Sequence, residues 1–208
     1  LRSEDQGMSW TKSNTGVSGS VNLQDIAFSQ NGTFTSTDTL FNFKAVGSEG
    51  STGKIYASAD GKNWSLDTNL TNPMNAVTYF TTVAGSGVFL AVGDDRTIYY
   101  RTKSSNWVSA SNTGIPTNTD LYGMTAYNES GNSDRYVVVG DHGAIYTTTD
   151  INGSWSNSSI NVPQKLNSVM YADGKFVAIG DNGTVFTSTN GTSWTQENQI
   201  TLQNLHSI

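Results

Sequence analysis

Phe89-Leu90-Ala91-Val92-Gly93-Asp94-Asp95-Arg96-Thr97-Ile98-Tyr99 decides the architecture, because three other stretches follow the same plan. Phe43-Lys44-Ala45-Val46-Gly47, Tyr136-Val137-Val138-Val139-Gly140 and Phe176-Val177-Ala178-Ile179-Gly180 repeat its first half. Ile55-Tyr56, Ile145-Tyr146 and Val185-Phe186 repeat its end, beyond a short polar turn. A Trp follows nine or ten residues after each pair begins, at Trp64, Trp107, Trp155 and Trp194. Upstream of each unit lies an apolar, half-buried strand pattern: Leu23-x-x-Ile26-x-Phe28, Met74-x-x-Val77-x-Tyr79, Leu121-x-x-Met124-x-Ala126 and Leu166-x-x-Val169-x-Tyr171. Each unit therefore reads as four short strands, a to d, and the strand-a starts are 51, 47 and 45 residues apart. The continuous apolar runs mark strands buried on both faces.

One four-stranded sheet of this size cannot bury both faces by itself, so each unit must stack on the next. Sheets repeating every 40 to 50 residues around an axis make a β-propeller, whereas sandwiches do not repeat their sequence sheet by sheet. The expected fold is all-β, a single propeller domain over 1–208. Its complete repeats span about 23–66, 74–110, 121–157 and 166–196. Ser3-Glu4-Asp5-Gln6-Gly7-Met8-Ser9-Trp10 matches a fifth c–d turn, and Leu202 to Ile208 matches a fifth strand a. The segments 1–14 and 200–208 are thus expected to share a fifth blade, which removes exposed sheet edges. The ring has five blades if the chain is complete; otherwise it is part of a larger propeller, and the chain reads as a piece of a longer one.

The c–d turns carry a resemblance. Ser3-x-Asp5-x-Gly7-x-Ser9-Trp10 resembles the Asp-box, or BNR repeat, whose pattern is Ser-x-Asp-x-Gly-x-Thr-Trp. Ser58-Ala59-Asp60-Gly61-Lys62-Asn63-Trp64 and Ser188-Thr189-Asn190-Gly191-Thr192-Ser193-Trp194 are shortened versions. Thr148 to Trp155 keeps Asp150 with Gly153 one place late, and the stretch ending at Trp107 keeps only the Trp. The units are most similar to photosystem II assembly-factor-like propellers, and to sortilin-type and sialidase propellers. The box needs no ligand. A short Asp or Asn accepts hydrogen bonds from backbone N–H groups two or three residues on, Gly supplies a positive φ, and Trp packs the turn on the neighbouring blade. Asp5, Asp60, Asp150 and Asn190 are accordingly read as structural.

Catalytic sets are hard to assemble. The resemblance implies an Arg triad and an Arg-Ile-Pro motif for sialidase activity, but only Arg2, Arg96, Arg101 and Arg135 occur and the motif is absent. Ser and Thr cannot replace Arg in bidentate carboxylate recognition. A glycan-active hydrolase or lyase with two carboxylates at the central channel stands as the alternative function, since 17 acids are available. His142 and His206 lack partner spacing for a metal or acid–base site. The b–c turns instead carry an acidic set: Glu49, Asp94, Asp95, Asp141 and Asp181. In a propeller the b–c and d–a loops share one face, opposite the c–d turns, so these acids should form an arc suited to a cation such as calcium or to a basic partner segment. Plain hairpin chemistry is the simpler reading, because Asp-Asn-Gly and Asp-His-Gly are good tight-turn sequences. The variable a–b connections, with Phe34, Leu40 and Phe41, are a further place for recognition.

Composition narrows the partners. The chain has 208 residues, with 26 Ser, 27 Thr and 21 Asn but only 13% charged residues and a net charge of −6. Its 11 cations form no run, which argues against nucleic acid and anionic membranes. No stretch approaches the ~18 apolar residues of a membrane span. Zero Cys excludes disulfides, thiolate zinc sites and cysteine nucleophiles. Eight Asn-x-Ser/Thr sequons fit an extracellular or cell-surface chain, although so Asn-rich a sequence produces many by chance. The expectation is a non-catalytic binding or scaffold propeller, without a cofactor, that recognises a protein or glycan through its loop faces.

Overall fold

The computed structural model describes residues 3–12, 16–29, 43–102, 105–129 and 133–208. It contains four antiparallel sheets of four strands, each sheet built from consecutive strands in chain order. Blade 1 comprises β1 (Asn22–Phe28), β2 (Phe43–Glu49), β3 (Thr52–Ser58) and β4 (Ser65–Leu70). Blade 2 comprises β5 (Met74–Thr81), β6 (Gly87–Gly93), β7 (Thr97–Thr102) and β8 (Val108–Ser109). Blade 3 comprises β9 (Leu121–Glu129), β10 (Ser133–Gly140), β11 (Ile145–Thr148) and β12 (Ser156–Asn157). Blade 4 comprises β13 (Leu166–Ala172), β14 (Lys175–Gly180), β15 (Val185–Ser188) and β16 (Thr195–Gln196). Phe34, Leu40 and Phe41 lie outside the described residues.

Each blade is too thin to hold a core, so the core lies between blades. Val46, Ile55 and Leu70 of blade 1 meet Met74, Val77, Phe89 and Ala91 of blade 2. Leu90, Val92 and Ile98 of blade 2 meet Leu121, Met124 and Val138 of blade 3. Val137, Val139 and Ile145 of blade 3 meet Leu166, Val169, Phe176 and Phe186 of blade 4. The alternating apolar residues of strands b and c thus face opposite neighbours, which is why those runs are nearly continuously apolar, with Lys44 as the exception in strand b of blade 1.

Strand a departs from simple alternation. Its Leu or Met and the next large apolar residue of the repeated pattern are three apart, one more than a period-two strand allows. A bulge absorbs the extra residue at Leu23/Asp25, Met74/Ala76 and Leu166/Ser168, and likewise in blade 3, where Val139 pairs with Gly123 and Gly140 with Leu121. The bulged residues are Gln24, Asn75, Tyr122 and Asn167. A bulge bends its strand and re-aims the side chain, here toward the axis. The Gly ending strand b belongs to the same device. A Cβ on Gly47, Gly93, Gly140 or Gly180 would collide with the backbone carbonyl of Asn22, Pro73, Asp120 or Lys165 respectively.

The two ends repeat local features of the blades. Leu205 N–H donates to Gly180 O at 3.0 Å, and Asn167 Nδ2 donates to Leu205 O at 2.9 Å. Asn75 makes the equivalent bond to Leu121 O, at 3.0 Å. Leu205 therefore meets Asn167 of blade 4 as Leu121 meets Asn75 of blade 2, and residues 3–10 form a turn of the same kind as the c–d turns. Among the described residues neither segment joins one of the four sheets.

Candidate binding site at the channel mouth

The strand-a edges surround an axial cavity of about 480 Å³. Its rim holds one residue from each repeat: Gln24, Asn75, Tyr122, Asn167 and His206. The first four are the bulged residues, and His206 follows Leu205 as they follow their own Leu or Met. Below them Asp25, Ala76, Gly123, Ser168 and Ser207 form a second tier, and Lys165 adds a cation. The Lys165 ammonium sits 4.2 Å from the centre of the Tyr122 ring, within cation–π range.

Hydrogen bonds tie this rim to the b–c turns. Asn75 Nδ2 donates to Asp94 Oδ1 at 2.9 Å, Asn167 Nδ2 donates to Asp181 Oδ1 at 2.9 Å, and Tyr122 is hydrogen-bonded to Asp141. Asp95 Oδ1 accepts from Asn118 N–H at 2.8 Å, and Asp120 Oδ1 accepts from Asp95 N–H at 2.9 Å. Glu49 pairs with Lys54 at 3.1 Å and accepts from Ser20 Oγ. The five acids singled out in the sequence therefore lie in the b–c turns, and three of them hold strand a in place. Burial, with the nearby charges of Asp120 and Asp141, raises the Asp94 carboxyl. Burial first, then the carboxylates of Asp141, Asp120 and Asp94, pushes the Tyr122 phenol well above its ordinary range, so Tyr122 stays neutral. Among the described residues no group of three or more His, Asp or Glu is arranged to hold a metal ion.

One carboxylate lines the cavity itself, and it is already engaged. Asp25 Oδ2 accepts Val77 N–H at 2.9 Å, and Asp25 Oδ1 accepts Ile26 N–H at 2.8 Å. Burial raises its pKa even so. His142 lies on the b–c turn of blade 3 with φ 52°, and Asn182 holds the matching place in blade 4 with φ 54°.

The c–d turns are built from their own side chains. Asp60 Oδ1 accepts the N–H groups of Lys62 and Asn63, both at 2.8 Å, and Trp64 Nε1 donates to Gly61 O. Asn190 Oδ1 does the same for Thr192 and Ser193, with Trp194 Nε1 on Gly191 O. Asp5 accepts from Ser9 N–H, and Trp10 Nε1 donates to Gly7 O. In the variant turn Asp150 accepts from Asn152 N–H, Gly153 N–H donates to Asp150 O, and Trp155 Nε1 donates to Ser111 O in the connection between blades 2 and 3. These bonds depress the exposed acids: Asp5 to about 2, chiefly through the Ser9 side chain, and Asp60 further still, chiefly through Asn63 N–H. A depressed carboxyl stabilises the fold above its unfolded pKa, and that contribution is lost as pH falls through the folded value. Carboxyl chemical shifts followed by NMR from pH 5 downward should therefore show Asp60 ionised at pH 3 and Asp5 titrating near 2. A midpoint near 3.8 for either would disprove the turn geometry.

A buried charge cluster was missed in the sequence. Lys44, 1% exposed, donates to Asp67 Oδ2 at 2.7 Å, and Arg101 of blade 2 donates to both Asp67 oxygens at 2.7 Å. Trp107 Nε1 donates to the same carboxylate at 3.0 Å, which gives this Trp, in a turn without an acid of its own, a hydrogen-bond partner. Asp67 reaches this position because it too is a bulged residue: Ile55 pairs with Thr68 and Tyr56 with Leu66. The signal available in sequence was Lys44 interrupting an otherwise apolar strand b.

Residues 132–207 match the family described as the DUF6242 beta propeller domain. The chain is a β-propeller. Solved structures agree. YCF48 from Cyanidioschyzon merolae superposes with a TM-score of 0.59 at 18% identity, over 90% of this chain and 59% of that one. The computationally designed Ika4 protein gives 0.57 at 13%, over 87% and 98%. The Niastella koreensis GH74 enzyme gives 0.51 at 19%, over 86% of this chain and 25% of the enzyme. At these identities the likeness is one of fold, and the chain spans only part of YCF48 and of the GH74 enzyme. Comparison with curated proteins gave no match.

Proposed function

We propose that this propeller is a non-catalytic binding module that takes a protein or glycan ligand at the channel mouth on its b–c face. The observation that carries the reading is the chemistry of the lining. Amide, hydroxyl, imidazole, phenol and ammonium groups surround the cavity, and its one carboxylate, Asp25, is spent on two backbone N–H groups. Hydrolysis of a glycoside by paired acids needs a second carboxylate about 5–9.5 Å away across the cleft. Among the residues lining the cavity there is none. A few fixed polar groups around a concave, preformed site suit recognition.

The c–d turns are read as Asp-boxes on their Ser, Asp and backbone pattern, and their role is to hold the loops rigid. An extracellular or cell-surface setting fits the low charge and the exposed sequon residues Asn63, Asn69, Asn152 and Asn157. No helix among the described residues is long and apolar enough to cross a membrane.

The test is a glycan array and a peptide array probed with the intact chain, followed by mass spectrometry of each bound member. Saturable binding is expected, weakened tenfold or more in Lys165→Ala and His206→Ala, with no change in ligand mass. Cleavage that disappears in Asp25→Asn would establish the enzyme instead.

A further inference from the structure

The hydrogen bonds of the channel rim decide which chemical groups are left for a ligand. Asn75 Nδ2 donates to both Asp94 Oδ1 and Leu121 O, and Asn167 Nδ2 donates to both Asp181 Oδ1 and Leu205 O. A backbone carbonyl can only accept, so these partners fix which end of each amide is nitrogen. Both N–H groups of each side chain are then spent, and what remains is the Oδ1 atom. The buried side-chain atoms without a partner among the described residues are Arg101 Nε and Thr147 Oγ1, so the two amide oxygens are open to solvent. Tyr122, on the blade between them, directs its proton to Asp141 and likewise keeps only oxygen lone pairs. Lys165 is the opposite case: its ammonium rests on the Tyr122 ring and forms no ion pair with a described residue.

The three acceptors come one from each of blades 2, 3 and 4, and Lys165 supplies a strong donor to the same cavity. An anionic ligand group would meet the acceptors, with Asp94, Asp141 and Asp181 behind them. A cationic one would meet Lys165, and the cavity's carboxylate, Asp25, is already held by two backbone N–H groups. A hydroxyl carries no charge and both donates and accepts. The acceptors stand around an axis, so their donors must radiate from one central group. An extended peptide points its N–H groups to two sides only, whereas a sugar ring carries hydroxyls around its whole edge. Ala76, Val77, Met124 and Val169 add apolar lining for the C–H faces of such a ring. We infer that the channel mouth takes an uncharged sugar residue, its hydroxyls donating to Asn75, Tyr122 and Asn167 and one of them accepting from Lys165. The inference rests on the channel mouth being a binding site, and it narrows the ligand to neutral glycans.

The probes are neutral methyl glycosides of hexoses and pentoses, each paired with its uronic acid and amino-sugar counterparts, and a set of short uncharged, acidic and basic peptides. They are titrated into the isotope-labelled intact chain and followed by NMR. At least one neutral glycoside should shift the side-chain amide signals of Asn75 and Asn167 saturably, and its affinity should hold as salt is raised. Its charged counterparts should bind at least tenfold more weakly. Lys165→Met should weaken binding about tenfold, the worth of a hydrogen bond to a charged group, with an unchanged melting temperature. Equal binding by Lys165→Met, or tighter binding of a uronic acid, an amino sugar or a peptide at the same signals, would overturn the inference and leave the binding site standing. No shift of these signals by any probe would overturn both. A neutral glycoside that binds there and is cleaved would support the sugar class and overturn the non-catalytic reading alone.

Discussion

Replacing Asp67 with Ala will destabilise the protein by about 3–5 kcal/mol, because it leaves two buried cations facing each other without their shared anion. Lys44 and Arg101 come from different blades, and among the described residues Asp67 is the acid that touches both. Burial lowers the Lys44 pKa, and burial of Asp67 is outweighed by the hydrogen bonds and charge it receives from Lys44, Trp107 and Arg101, so its own pKa falls. Asp67 therefore stays ionised near neutrality, with the Lys44 nitrogen 2.7 Å from its carboxylate. The loss should appear as a fall in melting temperature of about 10 °C for a domain of this size. Asp67→Asn should recover part of it, since the amide oxygen still accepts hydrogen bonds. A combined Lys44→Met, Asp67→Leu, Arg101→Met variant should be far closer to the parent than Asp67→Ala alone, because a buried ion cluster replaced as a unit leaves no orphaned charge. If Asp67→Ala costs under about 1 kcal/mol, the cluster is solvated and the geometry is wrong. The same carboxyl gives a sign for acid unfolding. Its stabilisation is full above pH 3.8 and drains away as pH falls through the depressed native value.

Gly140→Ala should cost about 3 kcal/mol, at or above the upper end of ordinary overpacking. The clash is with backbone: the new Cβ would strike Asp120 O and lie 3.3 Å from Leu121 Cα, where no side chain can swing away. Gly140 N–H donates to Ala144 O, and Asp141 N–H donates to Asp120 O, so moving this corner breaks the turn and the strand pairing together. Chemical denaturation is the measurement. Gly174→Ala is the internal control: a Cβ there meets nothing, and its φ of +78° makes strain the whole of the penalty. A Gly140→Ala cost no greater than that of Gly174→Ala would show that strand a can retreat from strand b, and would undermine the bulge as the element positioning the channel rim.

These two residues mark where sequence reading stopped. Gly140 was visible as the last letter of a repeated run, but the reason for it was not. Its role depends on a bulge one strand away, and the three-residue step from Leu121 to Met124 was the trace of that bulge. Asp67 had no such trace, because nothing local distinguishes it from Asp25 or Asp134 until the sheet bends and turns it inward. The rim was hidden for the same reason as Gly140. Gln24, Asn75, Tyr122, Asn167 and His206 differ in chemistry, so no motif connects them, yet each stands one place after a repeated Leu or Met.

The repeat of apolar runs, Gly and Trp determined by itself that this chain folds as stacked four-stranded blades, since each run can be buried only between two neighbours of its own kind. Only the tertiary structure decided which polar residues meet at the axis and which carboxylates are already committed to backbone and rim partners. Those properties depend on the register of paired strands, and a one-residue bulge moves a side chain between core, channel and solvent without changing the apolar pattern that surrounds it.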